Sequence, residues 1–299
     1  MTARVLVIGD VMTDISVALS GPIVLGSDRR AAISVQPGGS AATQAVWLAR
    51  HGLHVDFVGR VGAADHAEQS GLFARQGVTP HLAADPSLET GRLIAVVDPS
   101  GERSFLTDRG ANDALASEDA PDALIASADH IHISGYAFFA ENPRATAISV
   151  IRRAGGKPVS VDPGSAGFLR EVGAAAFLDW IDGVKILFPN AEEAEMLAGS
   201  ADAAVQREVL TRRFPLVVVK RGAAGAEVWR GEEVFRLPAP VVPVVDTTGA
   251  GDAFAAAFLA ARLGGETVEG CLGKAVAAGS ATVGFMGARP EAPPFWRRP

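Results

Sequence analysis

The sequence predicts an α/β protein: a doubly wound, mostly parallel sheet with helices on both faces, plus a small β-sheet lid. Three observations carry this. Over most of the 299 residues, short apolar runs that read as buried strands alternate with helical patterns, an order that implies parallel strands joined by crossover helices. The first run, Arg4-Val-Leu-Val-Ile8, is continuously apolar and stops at Gly9-Asp10, as a central strand buried on both faces does. Two stretches, about 15–37 and 88–110, break the alternation with small, β-branched and turn-forming residues. They are expected to pair into one sheet standing over a single domain that spans 1–299.

Taken in order, Val11 to Asp14 follows the first strand, at the end where open α/β sheets bind ligands. Asp14 is therefore either a site residue or an Asp closing a local turn. Gly38-Gly-Ser-Ala-Ala-Thr-Gln-Ala through Gly52 reads as a helix opened by a glycine turn, with Ser40 suited to capping. Ala64 to Arg75 is a further helix. Arg92 to Val97 and Glu102 to Leu106 flank Asp98-Pro-Ser-Gly101, a hairpin signal. Strands are expected near Ile131, Val159, Ile186 and Val218, and helices near Ala123, Ala147, Ala174 and Glu195. Ala226 to Trp229 and Val234 to Leu237 form a late hairpin. Val241 to Val245 is read as an edge-type strand despite Pro243. Thr267 to Val283 closes the chain as an Ala/Gly-rich helix before a short Pro-rich end from Pro290.

Composition limits function. A net charge of −7 without a basic run argues against nucleic acid as a partner and favours a small-molecule substrate. Cys271 is the only cysteine, so no intrachain disulfide forms, and a reducing cytoplasm is expected. Asp10 and Asp14 interrupt the N-terminal apolar stretch, and no segment resembles a membrane span, so no membrane association is expected.

The stretch most informative about chemistry is Asp246-Thr-Thr-Gly-Ala-Gly-Asp252, which runs into the apolar helix Ala253 to Leu263. Gly249 and Gly251 let backbone approach a ligand, and the first helical amides lack intrahelical acceptors, so the helix start is an anion site. Asp252 would sit beside that anion, kept ionised by the helix dipole. Such a carboxylate suits removal of a proton from a hydroxyl attacking a phosphoryl group. Other nucleotide signatures are absent: no Gly-x4-Gly-Lys-Ser/Thr occurs, nor a Gly-x-Gly-x-x-Gly after the first strand, nor a Gly-x-Ser-x-Gly. His130 and His132 share a strand face, with metal binding or ordinary packing as the two readings. Asn190 and Glu193 start a helix three residues apart, as a capping box or as water-mediated ligands of Mg²⁺. Val217-Val-Val-Lys-Arg-Gly-Ala-Ala-Gly225 is a buried strand and glycine turn, in which Lys220 either neutralises phosphate or is an exposed strand-end lysine.

These motifs, in this order, resemble those of the ribokinase-like (PfkB) carbohydrate kinases over most of the chain. The resemblance implies that Asp252 is the catalytic base, with Gly249, Ala250 and Gly251 at the transferring phosphoryl group. It implies that Lys220, Gly222, Gly225, Asn190 and Gly251 lie at ATP, and that Asn190 and Glu193 hold Mg²⁺ through water. Asp246 and Thr248 would neighbour a monovalent cation such as K⁺. Asp14, Gly39, Ser40, Thr43 and Asn112 would face the sugar, and Arg109 pairs either an acidic substrate or a lid carboxylate. Two departures bear on the acceptor: many members carry Asn where this chain has Thr43, and the Asn and Arg often found after Asp162-Pro163 are replaced by Gly164 and Ala166, with Arg170 the nearest arginine. The activity implied is ATP-dependent phosphorylation of a hydroxymethyl group on a sugar or sugar-like molecule. Its competitors are a nucleoside kinase, for which Tyr136, Phe138 and Phe139 would clamp a base, and a non-catalytic sugar-binding protein on the same scaffold. A homodimer through an apolar lid face is a further expectation.

Overall fold

The computed structural model describes residues 2–99 and 103–289. Its first half comprises β1 (Arg4–Ile8), β2 (Met12–Leu19), β3 (Ala31–Gly38), α1 (Ser40–Arg50), β4 (His54–Gly62), α2 (His66–Arg75), β5 (Val78–Asp85), β6 (Gly91–Val97), β7 (Arg103–Asp108), α3 (Asp122–Ser127), β8 (His130–Ser134) and α4 (Glu141–Arg153). The second half comprises β9 (Val159–Asp162), α5 (Ala166–Val172), α6 (Ala174–Trp180), β10 (Ile186–Leu187), α7 (Ala191–Ala198), α8 (Ala203–Thr211), β11 (Leu216–Lys220), β12 (Ala226–Arg230), β13 (Glu233–Leu237), α9 (Ala250–Leu263) and α10 (Val268–Thr282).

Nine strands form one sheet in the order β13-β12-β11-β10-β9-β8-β1-β4-β5. All neighbours from β11 to β5 are parallel, and β12 and β13 add an antiparallel edge. Because β1 is central, its side chains divide between two cores: Val5 and Val7 pack with α1, α9 and α10, while Leu6 and Ile8 pack on the other face against residues from α3 through α8. The chain leaves β1 towards β4 on one side and later places β8 on the other, so a switch-point crevice opens at the C-terminal ends of β1 and β8. Asp10, Ser134, Asp162, Asn190 and Lys220 all follow or end strands on that edge.

The two insertions pair as a four-stranded sheet in the order β3-β2-β6-β7, with β2 and β6 parallel. The lid begins earlier than the sequence suggests: Asp14 lies within β2 opposite Gln36, not in a turn. The hairpin joining β6 and β7 is present, although residues 100–102 of its turn fall outside the described residues, as does the Pro-rich end from Pro290. The strand expected at Val241 to Val245 does not form. Pro238, Pro240 and Pro243 remove ladder donors, and Val241, Val244 and Val245 are exposed along an irregular segment. No helix among the described residues is long and apolar enough to cross a membrane. Cys271 is buried in α10 against the core.

Candidate active site

The site grows from two helix starts that face each other. The carboxylate of Asp10 accepts the amides of Ser40 at 3.0 Å and Ala41 at 3.2 Å, so it caps α1 from the end of β1. Ser40 therefore does not cap its own helix, as its position suggests it would. Its hydroxyl instead donates to Asp252 Oδ1 at 2.7 Å, bridging α1 to α9. Gly39 permits this junction: its φ is +91°, and a Cβ there would lie 2.5 Å from the Asp10 carbonyl oxygen.

At the second start, Asp246 Oδ1 accepts from the Thr248 amide at 2.9 Å and hydroxyl at 2.6 Å, while Oδ2 accepts from the Gly287 amide at 2.9 Å. These bonds close the turn that leads into Gly249. Gly249 has φ +76°, and a Cβ there would lie 2.6 Å from Ala288 Cα, so only glycine fits both the conformation and the space. The Ala250 amide turns back to Thr247 O at 3.3 Å, and the Ala253 amide to Gly249 O at 2.9 Å. The amides of Gly251 and Asp252 have no acceptor among the described residues, which leaves these two unsatisfied at the start of α9.

Lys220 lies beneath this pair, its Nζ 3.5 Å from where a Gly251 Cβ would be. It is not an exposed strand-end lysine. Its ammonium is buried and ion-paired with Asp162 Oδ2 at 2.6 Å, and Gln44 Nε2 donates to the same oxygen at 3.2 Å. Burial opposes the ammonium, yet Asp162 and Glu193 together raise its pKa above the ordinary lysine value. Asn190 and Glu193 do form a reciprocal capping box, with Asn190 N donating to Glu193 Oε2 at 2.8 Å and Glu193 N to Asn190 Oδ1 at 2.9 Å.

Carboxylates around that lysine carry too much negative charge for one cation. Burial, with Asp162 adding repulsion, pushes Asp252 up to about 8. Burial pushes Glu193 up to about 7, with Lys220 opposing and Asp162 reinforcing the shift. Asp162 is likewise raised by burial against the pull of Lys220. The expectation that the helix dipole alone keeps Asp252 ionised is thus corrected: desolvation outweighs it. The excess suits a hydrated divalent cation reached through water. Among the described residues no group of three or more His, Cys, Asp or Glu is arranged to hold a metal directly.

A cavity of about 660 Å³ joins these groups. Ser40, Tyr136 and Asp252 line one end. Gly222 and Gly225, in the turn after β11, line the other together with the apolar side chains of Val241, Val242, Val276 and Val283. The irregular segment after β13 thus contributes Val241, Val242 and Val244 to the wall of this slot.

On the lid side, Asp14 and Arg289 flank Gly38. Burial raises Asp14 to about 6, with Arg289 opposing the shift and Asp10 adding to it, and its Oδ1 is buried with no hydrogen-bond partner among the described residues. Arg289 donates from Nε to Thr43 Oγ1 at 3.2 Å and from Nη2 to Gly38 O at 2.6 Å. Asn112 is spent on structure: Oδ1 accepts the Val11 amide at 2.8 Å, and Nδ2 donates to Val11 O and Arg109 O, pinning the entry to the lid. Arg109 is ion-paired with Asp113 at 2.8 Å and stacks 5.8 Å from the Tyr136 ring. The carboxylate that Arg109 meets lies in the turn just after β7, past the lid strands. Tyr136 packs edge-on against Phe139 and Phe168, and Phe138 is fully buried. His130 and His132 both meet the Ser160 hydroxyl at 2.7 Å, and His132 also meets Gln44. Burial lowers them to about 4 and about 3, so both are neutral.

Three residues central to this geometry were not singled out from sequence. Asp10 and Asp162 end apolar strand runs and could have been found by the strand-end rule. Arg289 lies beyond the last helix and carries no motif.

The pfkB family carbohydrate kinase profile matches residues 2–294. Among curated relatives, the ATP-dependent ribose-1-phosphate kinase of Halopiger xanaduensis is 34% identical over 84% of this chain and 82% of its own. The fructokinase of Klebsiella pneumoniae is 32% identical over 87% of this chain and 84% of its own. Among solved structures, the adenosine kinase from Sinorhizobium meliloti superposes with a TM-score of 0.88 at 26% identity, covering 98% of this chain and 97% of that one.

Proposed function

The chain belongs to the pfkB family of carbohydrate kinases, and from that premise we propose that it transfers the γ-phosphoryl group of ATP to a hydroxymethyl group of a sugar or sugar-like acceptor, with Asp252 as general base. The observation that carries the reading is the placement of Asp252. Its Oδ1 is held by Ser40, it sits beside two unpaired amides and above the Lys220 ammonium, and it lines the cavity that also takes in Gly222 and Gly225.

In this reading the triphosphate lies along the slot, with its base towards Gly222, Gly225 and the valine wall. The acceptor lies under the lid, towards Asp14, Gly39 and Thr43. Asp252 takes the hydroxyl proton, the acceptor oxygen bonds to the γ-phosphorus, and the bond from that phosphorus to the bridging oxygen breaks as ADP leaves. The amides of Gly251 and Asp252 and the Lys220 ammonium stabilise the charge spread over the transferring group. Mg²⁺, held through water by Glu193 with Asn190 alongside, would neutralise phosphate charge and bring the raised carboxylates back to their ionised forms. A monovalent cation at Asp246 and Thr248 would reinforce a turn that their own hydrogen bonds already close; comparing turnover in potassium and sodium tests it.

Asp252→Asn tests the central assignment. Loss of a general base lowers turnover about 10² to 10⁴-fold, while ATP-induced thermal stabilisation should persist. Near wild-type turnover would remove Asp252 from the role. Similarity to an adenosine kinase structure supports nucleoside phosphorylation as the second reading. Adenosine compared with pentoses and hexoses in an ADP-release assay separates the two, and no ADP release with any acceptor would point to a non-catalytic binding protein. Ile33, Val35, Phe105 and Leu106 are exposed at 57–65% on the lid sheet, which supports a homodimer through the lid. A monomeric mass in light scattering would dismiss it.

A further inference from the structure

On the lid side of the site lies a cation with no opposite charge bonded to it. Arg289 makes its two hydrogen bonds to neutral oxygens, Thr43 Oγ1 and Gly38 O. No carboxylate among the described residues forms a salt bridge with it, whereas Arg109, beside Tyr136, is ion-paired with Asp113. A guanidinium has five N–H donors, so after these two bonds three remain, including both on Nη1. They form a planar fork of the kind that matches an oxyanion.

The site is built rather than incidental. Nε is fixed by the buried Thr43 side chain, and the preceding Ala288 carbonyl accepts from Trp47 Nε1 at 3.2 Å, so the arginine is anchored on α1 from both directions. The guanidinium carbon lies 5.9 Å from the Phe73 ring centroid. Burial pulls Arg289 down to about 10, with Asp14, Asp252 and Asp10 opposing that shift, so it is charged at neutral pH yet poorly solvated. An incoming anion would recover the lost solvation. Beside it, Asp14 offers a buried oxygen with no donor among the described residues, which suits a sugar hydroxyl.

We propose that Arg289, with Asp14 across Gly38, forms an oxyanion subsite that selects a polyol carrying a phosphate monoester or carboxylate at the end remote from the hydroxyl to be phosphorylated. This rests on the kinase reading above and specifies its acceptor class. The hydroxyls of such a molecule would meet Asp14, its anion would meet the Arg289 fork, and its hydroxymethyl end would face Asp252.

The test uses two matched pairs: a pentose and the same pentose bearing an anomeric phosphate, and a hexose and its aldonic acid. Turnover is measured by ADP release, and binding by calorimetry to the Asp252→Asn variant. In the wild type, at least one anionic member should exceed its neutral partner in kcat/KM. Arg289→Gln should remove about 10- to 100-fold of that preference, the scale of a charge-assisted bond, while the neutral partner changes far less and ATP still stabilises the fold. Arg289→Lys should retain part of the preference. Neutral partners used as well as the anions, or an equal loss for both in Arg289→Gln, would overturn the subsite. If Arg289→Gln does not fold, the wild-type ranking and the lysine variant still decide. Anion binding to Asp252→Asn without turnover by the wild type would fault the catalytic reading, whereas turnover of neutral sugars alone would fault only the subsite.

Discussion

Ser40→Ala probes the hydrogen bond that joins the two helix starts. The Ser40 hydroxyl donates to Asp252 Oδ1 at 2.7 Å, and this bond is one of the few influences that lower the Asp252 pKa against burial and the repulsion of Asp162 and Asp10. A hydrogen bond to a charged group contributes about 1.5–3 kcal/mol, and one pKa unit corresponds to about 1.4 kcal/mol. Losing the bond should therefore raise Asp252 by about one to two units. A base must be ionised, so activity falls as pH drops through its pKa, and the acid limb of kcat/KM for the acceptor should move upwards by that amount. On the acid limb the variant should be about 10- to 100-fold slower at a given pH and should recover as pH rises. Both proteins are assayed with saturating ATP and magnesium, so their effect on the limb is common to the two. Ser40→Thr, which keeps a hydroxyl, should restore the wild-type limb. A limb that stays in place, with the rate reduced equally at every pH, would refute tuning and make Ser40 an acceptor contact only.

The other predictions address the charges and the turn. Lys220→Met leaves Asp162 buried without its partner and should cost about 3–5 kcal/mol in chemical denaturation; adding Asp162→Asn should recover much of that stability but not activity. Asp252, Glu193 and Asp14 are raised to about 8, 7 and 6. The folded ligand-free protein therefore takes up protons that the unfolded chain does not, and stability measured by calorimetry should rise as pH falls from about 8.5 to 6.5. Below about 6.5 the buried His130 and His132 oppose this, since the unfolded chain then binds protons that the folded one refuses. Asp252→Asn should flatten the upper part of that curve. Gly249→Ala forces a Cβ to within 2.6 Å of Ala288 Cα at a left-handed φ; it should lower thermal stability and turnover together, and an active, stable variant would contradict the close approach.

Much of this architecture is legible in the sequence because the parallel core uses continuous apolar runs, and each ends at a residue that matters. Gly9-Asp10, Asp162 and Lys220 all mark strand ends on one edge of the sheet. Local patterns also locate the Asn190–Glu193 start, whose capping box follows from spacing alone. What local pattern cannot supply is pairing across the chain. Lys220 looks like a surface lysine until Asp162, 58 residues away, is placed beside it. Ser40 looks like its own helix cap until Asp10 takes that role. Val241 to Val245 has strand composition, but Pro243 within it and Pro238 and Pro240 before it deny it a ladder and leave it in the wall of the slot.

The last described segment explains why the two halves of the site depend on each other. Gly287 donates to Asp246, Ala288 lies against Gly249 and receives the Trp47 indole, and Arg289 reaches Thr43 and Gly38. Three consecutive residues thus touch, in turn, the anion turn, the first helix and the lid strand. A rearrangement of the Asp246 to Gly249 turn on binding phosphate would be transmitted to Arg289 through backbone contacts, with no side-chain relay needed. Acceptor and phosphoryl donor should accordingly bind with positive coupling. By reciprocity an acceptor that engages Arg289 must tighten ATP by the same factor that ATP tightens it. Calorimetric titration of each ligand in the presence and absence of the other measures that factor, and independent binding would show that the segment is only a brace.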